Sequence, residues 1–513
     1  MKAGLWRILL LAALSGFLAL SWEILWARLF SVMSGSRAYA FGAMLGSYLL
    51  GLAGGSLWSM RWQKDENRSW ASLSHLVLIA NSVAMLVVPL ASWIVVYLPW
   101  PSVLPLVVIA SMLQGTVLPL LCHVSIPADD RAGARLSYVY LANIIGSGAG
   151  SLLTGFVLLE WLPLRWLSGL LFVLGAIVSL PLASLSRQKR QLMPWVGAGV
   201  ALALAFFLSQ EMWERLQYQR DYRPGVRFVR VDESRHGVIT VDHEKKVYGN
   251  GVYDGNIKTK LTYGDLRVRP YFLSAVHPAP KEVLMIGMSS GVWAQIIANN
   301  PSVERLDVVE ISEGYMDIIR SYPEVASILH NPKITITIDD GRRWLKRNRE
   351  RRFDAIVMNT TFHWREFTAN LLSREFLELA KARLKADGLM MWNTTSSPRA
   401  IKTGLDVFPH TLMCMNNCIG SMEPIKINKE RWRQVLSSYA IDNDPVFDME
   451  SEKGRGELEK IVSIADNPMV TSAADPENPD DWWYLVHREQ MEKDWGDALP
   501  ITDDNLGHEY ERK

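Results

Sequence analysis

The chain has 513 residues, 49% hydrophobic and 21% charged, with 20 Trp, 20 Met and only 3 Cys. A net charge of +1 hides a split: residues 1–210 hold 13 Lys/Arg against 6 Asp/Glu, and residues 211–513 hold 41 against 47. These figures exclude a simple cytosolic enzyme, a disulfide-stapled secreted domain, a coiled coil and a disordered chain. The mildly acidic second part excludes nucleic acid as the main partner.

Apolar stretches of spanning length fill the first part, a bilayer core of about 30 Å needing roughly 20 apolar residues per helix. Seven spans are expected, near 8–28, 38–60, 75–98, 101–122, 138–160, 164–185 and 192–209, the last one short. Lys2 and Arg7 give the first span the basic start of a signal peptide. Its apolar run continues through Leu20 and a second span follows at once, which favours a retained helix. Gly42, Gly46, Gly51, Gly54 and Gly55 in the second span, and Gly146, Gly148 and Gly150 in the fifth, put small faces where helices pack closely. Glu23 and Glu160 are intramembrane or membrane-edge acids, read first as a partner for Arg28 and as a helix end. The expected setting is a multi-pass protein of the cell membrane with lipid as a partner. With seven spans, ten basic residues face three and the second part lies outside. If the short seventh segment does not span, the second part is cytoplasmic.

Residues 211–230 read as a polar, Arg-rich linker. Short alternating stretches follow at 238–241 and 246–248, with turn signals at Asn250-Gly251 and Asp254-Gly255, so a small β-subdomain is expected. Next comes a βαβ pattern. Val283–Ile286 is a buried-strand run, Gly287–Gly291 a glycine loop, and Val292–Asn299 a helix. Further strands are expected at Leu306–Glu310, Ile334–Ile338, Phe353–Met358 and Gly388–Trp392. Alternating strands and helices imply a parallel, doubly wound sheet with its ligand at the carboxyl ends of the strands. The fold class is thus a multi-pass α-helical membrane domain plus an α/β, Rossmann-like AdoMet-type sheet with a small β-subdomain before it. The domains divide as 1–210, 211–275, 276–420 and a C-terminal extension at 421–513.

The chemistry follows from that geometry. Gly287 and Gly291, with Ser289 and Ser290 between them, let a ligand approach the backbone closely. Glu310, ending the second strand, is placed to accept both ribose hydroxyls, and Asp339-Asp340-Gly341 after the third strand to accept from an adenine amino group. The plain alternatives are a helix cap for Glu310 and a turn residue for Asp340. A loop with only its outer glycines, and the acidic pair, favour an AdoMet-type nucleoside over NAD.

The stretch from about 236 to 400 resembles spermidine synthase, the polyamine aminopropyltransferase family. The carriers are Tyr248–Gly255 (YGNGVYDG), Leu261–Asp265 (LTYGD), His277–Gly287 (HPAPKEVLMIG), Val309–Ile311, Asp339–Gly341 and Phe353–Met358. The membrane part and the ending Ile501–Glu509 are similar to membrane-fused members of that kind. The resemblance implies transfer of an aminopropyl group from decarboxylated AdoMet to an amine, with methylthioadenosine leaving. It also implies a carboxylate that takes a proton from the attacking ammonium. The co-substrate is expected to be decarboxylated AdoMet or AdoMet, without metal. The acceptor is a small amine or a membrane-associated molecule, and a homodimer is possible.

This chain departs from the family where the amine is handled. Ser290 stands in place of the Asp that holds the transferred amine, and Asn359 in place of the catalytic Asp. Gly264 follows Tyr263, the residue expected to line the acceptor site, where the family has a polar residue. The candidate catalytic set is therefore Asn359, His363 and Tyr263. Glu366, Asp265, Asp254, Asp503, Asp504 and Glu509 are further candidates to replace the lost base. The alternatives are a non-catalytic membrane protein that senses a nucleoside or polyamine, an AdoMet-dependent methyltransferase, and a transporter with an appended regulatory domain. Trp482-Trp483-Tyr484 reads as a packed aromatic anchor, and the spacing of Cys414 and Cys418 argues against zinc.

Overall fold

The computed structural model describes residues 4–62, 70–184, 192–359, 362–365, 368–395, 397–466 and 484–506. The chain forms two compact units, Met1–Val238 and Ile239–Lys513.

The first unit is helical: α1 Leu5–Ser34, α2 Ala38–Trp62, α3 Trp70–Tyr97, α4 Leu104–Gly115, α5 Val117–Ser125 and α6 Ala132–Leu153. A π-turn at Thr154–Leu158 leads into α7 Leu159–Trp161, followed by α8 Leu164–Ser184, α9 Met193–Leu208 and α10 Met212–Tyr218. Among the described residues, six helical segments are long and apolar enough to cross a membrane. The short seventh segment, α9, meets Met212–Asp221 at a bend of 59°. α1 overruns its expected span at both ends and stops at Gly35, at φ 69°.

Close packing explains half of the glycine stripe. A Cβ on Gly55 would lie 1.9 Å from the Met112 carbonyl oxygen, so α2 and α4 touch backbone to backbone. Gly146 and Gly150 do the same for α6 against Ala13 and Phe17 of α1. Gly42, Gly46, Gly54 and Gly148 meet nothing within 4 Å. Arg28 donates to the carbonyls of Ser234 (2.6 Å) and Arg235 (2.8 Å). Glu160 ends its helix by accepting the Arg235 N–H at 3.0 Å. Residues 211–238 pack with the helices, since Glu233 of β1 (Arg230–Ser234) accepts from Leu164 N–H at 2.7 Å and Trp213 Nε1 at 2.9 Å.

In the second unit, β2 (Gly237–Val241), β3 (Lys246–Gly249) and β4 (Val252–Asn256) pair antiparallel. Asn250 and Gly251, both at positive φ, make the β3–β4 turn expected from sequence. Asp254-Gly255 is not a turn: both residues lie inside β4, and Gly255 pairs with Val247 where the register shifts. Glycine there relieves a bulge, which sequence alone reads as punctuation.

The strands β5 (Glu282–Ile286), β6 (Arg305–Glu310), β7 (Ile334–Ile338), β8 (Phe353–Met358) and β9 (Leu384–Asn393) form the parallel core. β10 (His410–Cys414), β11 (Asn417–Ser421) and β14 (Leu485–His487) extend it antiparallel, in the order β14-β10-β11-β9-β8-β5-β6-β7. A two-stranded ribbon, β12 (Ala440–Ile441) with β13 (Asp444–Pro445), stands apart. β8 is buried along its whole length, as a parallel strand covered on both faces must be. One face packs into a cluster with Met285, Val308 and Val357, the other into one with Leu284, Ile356 and Trp392. Cys414 and Cys418 are free thiols on adjacent strands, in these two different clusters. The two side chains therefore face opposite sides of the sheet.

Candidate functional site

The chain runs outward from β5 to β6 and β7 on one side and from β8 to β9 on the other, so the order reverses between β5 and β8. Such a switch point leaves a crevice at the carboxyl ends of the strands. Gly287 follows β5 and Asn359 follows β8, and the Asn359 N–H donates to the Ile286 carbonyl at 2.9 Å. These two expected site residues therefore meet.

The loop after β5 is a tight reversal. Gly287 has φ 86°, Ser289 φ 51° and Gly291 φ 80°. A Cβ on Gly291 would press to 3.0 Å from Ile319 and Ile328. Ser289 and Ser290 are both buried. Glu310, 4% exposed at the end of β6, accepts the N–H of Met288 at 2.7 Å, of Ser289 at 3.3 Å and of Ser312 at 2.9 Å. It braces the glycine loop rather than capping a helix. Burial raises its pKa, and the three N–H donors oppose that rise. A carboxylate has about four lone-pair sites. The three bonds leave acceptor capacity for about one ribose hydroxyl, fewer than the two expected from sequence.

A second cluster stands beside this loop. Asp254 of β4, its side chain 2% exposed, pairs with Arg365 at 2.7 Å and accepts from the Tyr315 hydroxyl. Ser289 Oγ donates to the Asp254 carbonyl at 2.6 Å, and Arg365 Nη2 to the Gly249 carbonyl at 3.2 Å. A Cβ on Gly249 would collide with Asp254, Tyr315 and Arg365 together. Sequence reasoning singled out Asp254 but missed Arg365 and Tyr315, because no spacing rule links residues 61 and 111 positions away. The Asp254 carboxylate pushes the Arg365 pKa up, outweighing burial, and the same carboxylate and burial raise that of Tyr315.

Asp340 caps the helix Gly341–Arg347, accepting the Arg343 N–H at 2.7 Å. Asp339 pairs with Arg343 and, at 3.5 Å, with Arg347. Those bonds, with its own backbone contact to Asp340, hold the Asp339 pKa down despite burial. A Cβ on Gly341 would come within 2.6 Å of Ile286, so this helix start sits directly against β5. Asp503 reaches the same helix, binding Arg342 and accepting from Ser373 Oγ at 2.7 Å. The segment around it folds back, with Ile501 fully buried. Asp265 pairs with Arg267.

His363 follows β8, and its Nδ1 lies 2.7 Å from Thr395 Oγ1 beyond β9. Tyr263 packs against the larger core cluster, and its N–H donates to Glu457 of the helix Glu452–Val462. Glu366, Trp482, Trp483 and Glu509 lie outside the described residues, while Tyr484 packs against the Leu284 cluster. Among the described residues, one group has the spacing of metal ligands: ligand atoms of His277, Asp354 and Asp387 lie within 4.8 Å of one another. Asp354 Oδ2 already accepts from Lys281 N–H, Glu282 N–H and Lys385 Nζ. His277 Nδ1 accepts from Ala279 N–H, which in the neutral ring leaves the proton, not a lone pair, on Nε2. Those bonds make the group structural.

Comparison with known proteins bears on this site. The spermine/spermidine synthase domain family matches residues 272–401. The polyamine aminopropyltransferase of Streptococcus pneumoniae serotype 4 is 38% identical over 119 residues, 23% of this chain and 41% of that protein. The chain thus spans about two fifths of the length of the first curated relatives it matches. That of Corynebacterium efficiens is 22% identical over 410 residues, 76% of this chain and 78% of that protein. This match is longer than the second unit, so it extends into the helical one. The crystal structure of spermidine synthase from Thermotoga maritima aligns with TM-score 0.35 and 20% identity, covering 53% of this chain and 88% of that one. The matched segment holds the glycine loop, Glu310, Asp339, Asp340 and Asn359. Residues 272–401 thus match the spermine/spermidine synthase domain, and the chain is similar over 119 residues to polyamine aminopropyltransferases.

Proposed function

We propose that this protein is a membrane-embedded aminopropyltransferase-like transferase that takes decarboxylated AdoMet as its co-substrate and a small amine as acceptor. The observation that carries this reading is Glu310, buried at the end of β6 and holding the glycine loop, inside the segment matched to the spermine/spermidine synthase domain. Glu310 would accept from a ribose hydroxyl, with the glycine loop it holds and the carboxyl end of β5 forming the wall beside the sugar. Bound decarboxylated AdoMet supplies an electrophilic carbon beside its sulfonium. The chain must then orient an amine and accept its proton. Asn359 orients through its amide and cannot take that proton. His363, with Nδ1 on Thr395, is the candidate base in the same loop.

The membrane part of the reading rests on six long apolar helices and on the bulky apolar side chains they leave outward. Leu50 is 66% exposed, Leu57 67% and Trp161 79%. A water-facing bundle rarely carries so many.

The second reading is a nucleoside- or polyamine-sensing domain without transfer, and one observation favours it. Asp254 is neutralised within the chain by Arg365, while Ser290 and Asn359 carry no charge. The described residues thus leave the amine side of the crevice without a free carboxylate at these positions. One assay separates the readings. The full chain, purified in detergent, is given decarboxylated AdoMet or AdoMet with putrescine, other amines or native lipid, and the released nucleoside is identified by mass spectrometry. Methylthioadenosine establishes aminopropyl transfer, and S-adenosylhomocysteine a methyltransferase. Nucleoside binding without either product establishes the sensing reading.

A further inference from the structure

The crevice holds a cation that the chain does not neutralise. Arg269 lies in the short helix Val268–Tyr271, ahead of β5. Its Nε donates to the Leu266 carbonyl at 2.7 Å and its Nη1 to Asn416 Oδ1 at 2.9 Å. Its guanidinium carbon stands 5.0 Å from the ring centre of Trp293, in the helix Val292–Ala298 that follows the glycine loop. Among the described residues no carboxylate pairs with it, and its Nη2 has no partner. The neighbouring acids are already taken: Asp265 pairs with Arg267, and Asp254 with Arg365. Burial pulls the Arg269 pKa down to about 10, with Cys414, Tyr253 and Asp265 opposing.

Asn416 ties this cation to the loop beyond β9. Its carbonyl accepts from the Thr394 N–H at 2.9 Å and the Thr394 hydroxyl at 3.0 Å, and Thr395 is the residue that holds His363. Arg269 therefore sits at the carboxyl ends of the strands, between the glycine-loop helix and the His363 loop. Asn417 supplies a second observation. It lies opposite Asn393 of β9 and Cys414 of β10. Cross-strand partners share a face, so its amide stands on the side of Cys414, whose thiol the Arg269 charge reaches. Asn417 is fully buried, and neither its amide oxygen nor its amide nitrogen has a partner among the described residues. A buried amide left empty calls for a specific reason, and a buried guanidinium without counter-charge calls for one more strongly.

We propose that the acceptor side of this crevice takes an amine that also carries an anionic oxygen group, a carboxylate or a phosphate, held by the Arg269 fork and the Asn417 amide. The proposal rests on the reading of the crevice as an acceptor site given above and narrows it. A guanidinium binds carboxylate or phosphate oxygens in pairs. A diamine dication would instead meet a like charge, with Ser290 and Asn359 offering none in return.

The test is calorimetric titration of the full chain in detergent, with and without methylthioadenosine. 4-Aminobutyrate and putrescine share an amine on a four-carbon skeleton and differ in the charge at the other end. 4-Aminobutyrate or phosphoethanolamine is expected to bind at least about tenfold more tightly than putrescine. Arg269→Met should remove that preference and leave the affinity for methylthioadenosine unchanged. If Arg269→Met does not fold, Arg269→Lys, which keeps the charge and loses the fork, should give a smaller loss. Asn417→Leu breaks no side-chain hydrogen bond, so it should fold and still weaken the anionic amine severalfold, which a merely structural amide would not do. Phosphatidylethanolamine in the micelle supports the site on a lipid head if it competes with 4-aminobutyrate, and on a free molecule if it does not. Putrescine binding as tightly as the anionic amines, no binding of either anionic amine, or binding unchanged in the Arg269 and Asn417 variants would each overturn the proposal. Failure of methylthioadenosine to bind while 4-aminobutyrate binds would count against the transferase reading alone.

Discussion

Glu310 is the residue on which the crevice depends. Its three N–H partners lose their acceptor in Glu310→Ala, and the expected cost is about 3 kcal/mol of stability. Calorimetric titration of the variant with methylthioadenosine should show no binding. The Asp254–Arg365 pair behaves differently. Arg365→Met leaves a carboxylate that is 2% exposed without its counter-ion and should cost about 3–5 kcal/mol. Adding Asp254→Leu should restore most of that loss, and a double-mutant cycle on thermal unfolding reads it directly. His277 sets a pH dependence. Burial lowers its pKa, so the folded chain holds it neutral while the unfolded chain protonates near its ordinary 6.5. Its contribution is therefore complete above 6.5 and falls away as the pH drops from there through the lowered folded value. The unfolding temperature of the second unit should decline over that window, and His277→Gln should flatten the decline.

Helix pairs in the first unit meet through glycine. α6 approaches α1 so closely that a Cβ on Gly146 would lie 1.9 Å from the Ala13 carbonyl oxygen. Gly146→Leu should therefore force the helices apart and lower the thermal midpoint in detergent. Gly148→Leu, where nothing lies within 4 Å, should be silent. A fluorescence-detected size-exclusion melt distinguishes the two. Strand identity was legible where burial and length agree, as in Val283–Ile286 and Phe353–Met358. It was lost at Asp254-Gly255, where a bulge glycine imitates a turn. There the deciding partner strand lies across a tight turn, beyond the reach of periodicity.

The molecule is built as two units with separate cores. Trp22, Trp26 and Phe30 lie in the helical one, while Phe272, Trp293 and Trp432 lie in the other. Each buries enough apolar surface to melt as its own cooperative body. Differential scanning calorimetry of the full chain should accordingly resolve two transitions, with only the upper or the lower one shifted by methylthioadenosine. A single transition unaffected by resolution of scan rate would count against this division.

The sequence by itself determined the two-part plan, the long apolar helices, the parallel strands in their order and the position of the glycine loop and Glu310. Each of these is written in local terms: apolar run length, buried-strand composition, and glycine where the chain must reverse. Only the tertiary structure decided that Asp340 spends its carboxylate on a helix cap and that Arg365 and Tyr315 enclose Asp254. It alone also decided that the Asn417 amide is left without a partner among the described residues. Those outcomes depend on which distant groups share a desolvated space. Burial sets the cost of leaving a charge or an amide unpaired, and burial belongs to the folded chain rather than to any stretch of it.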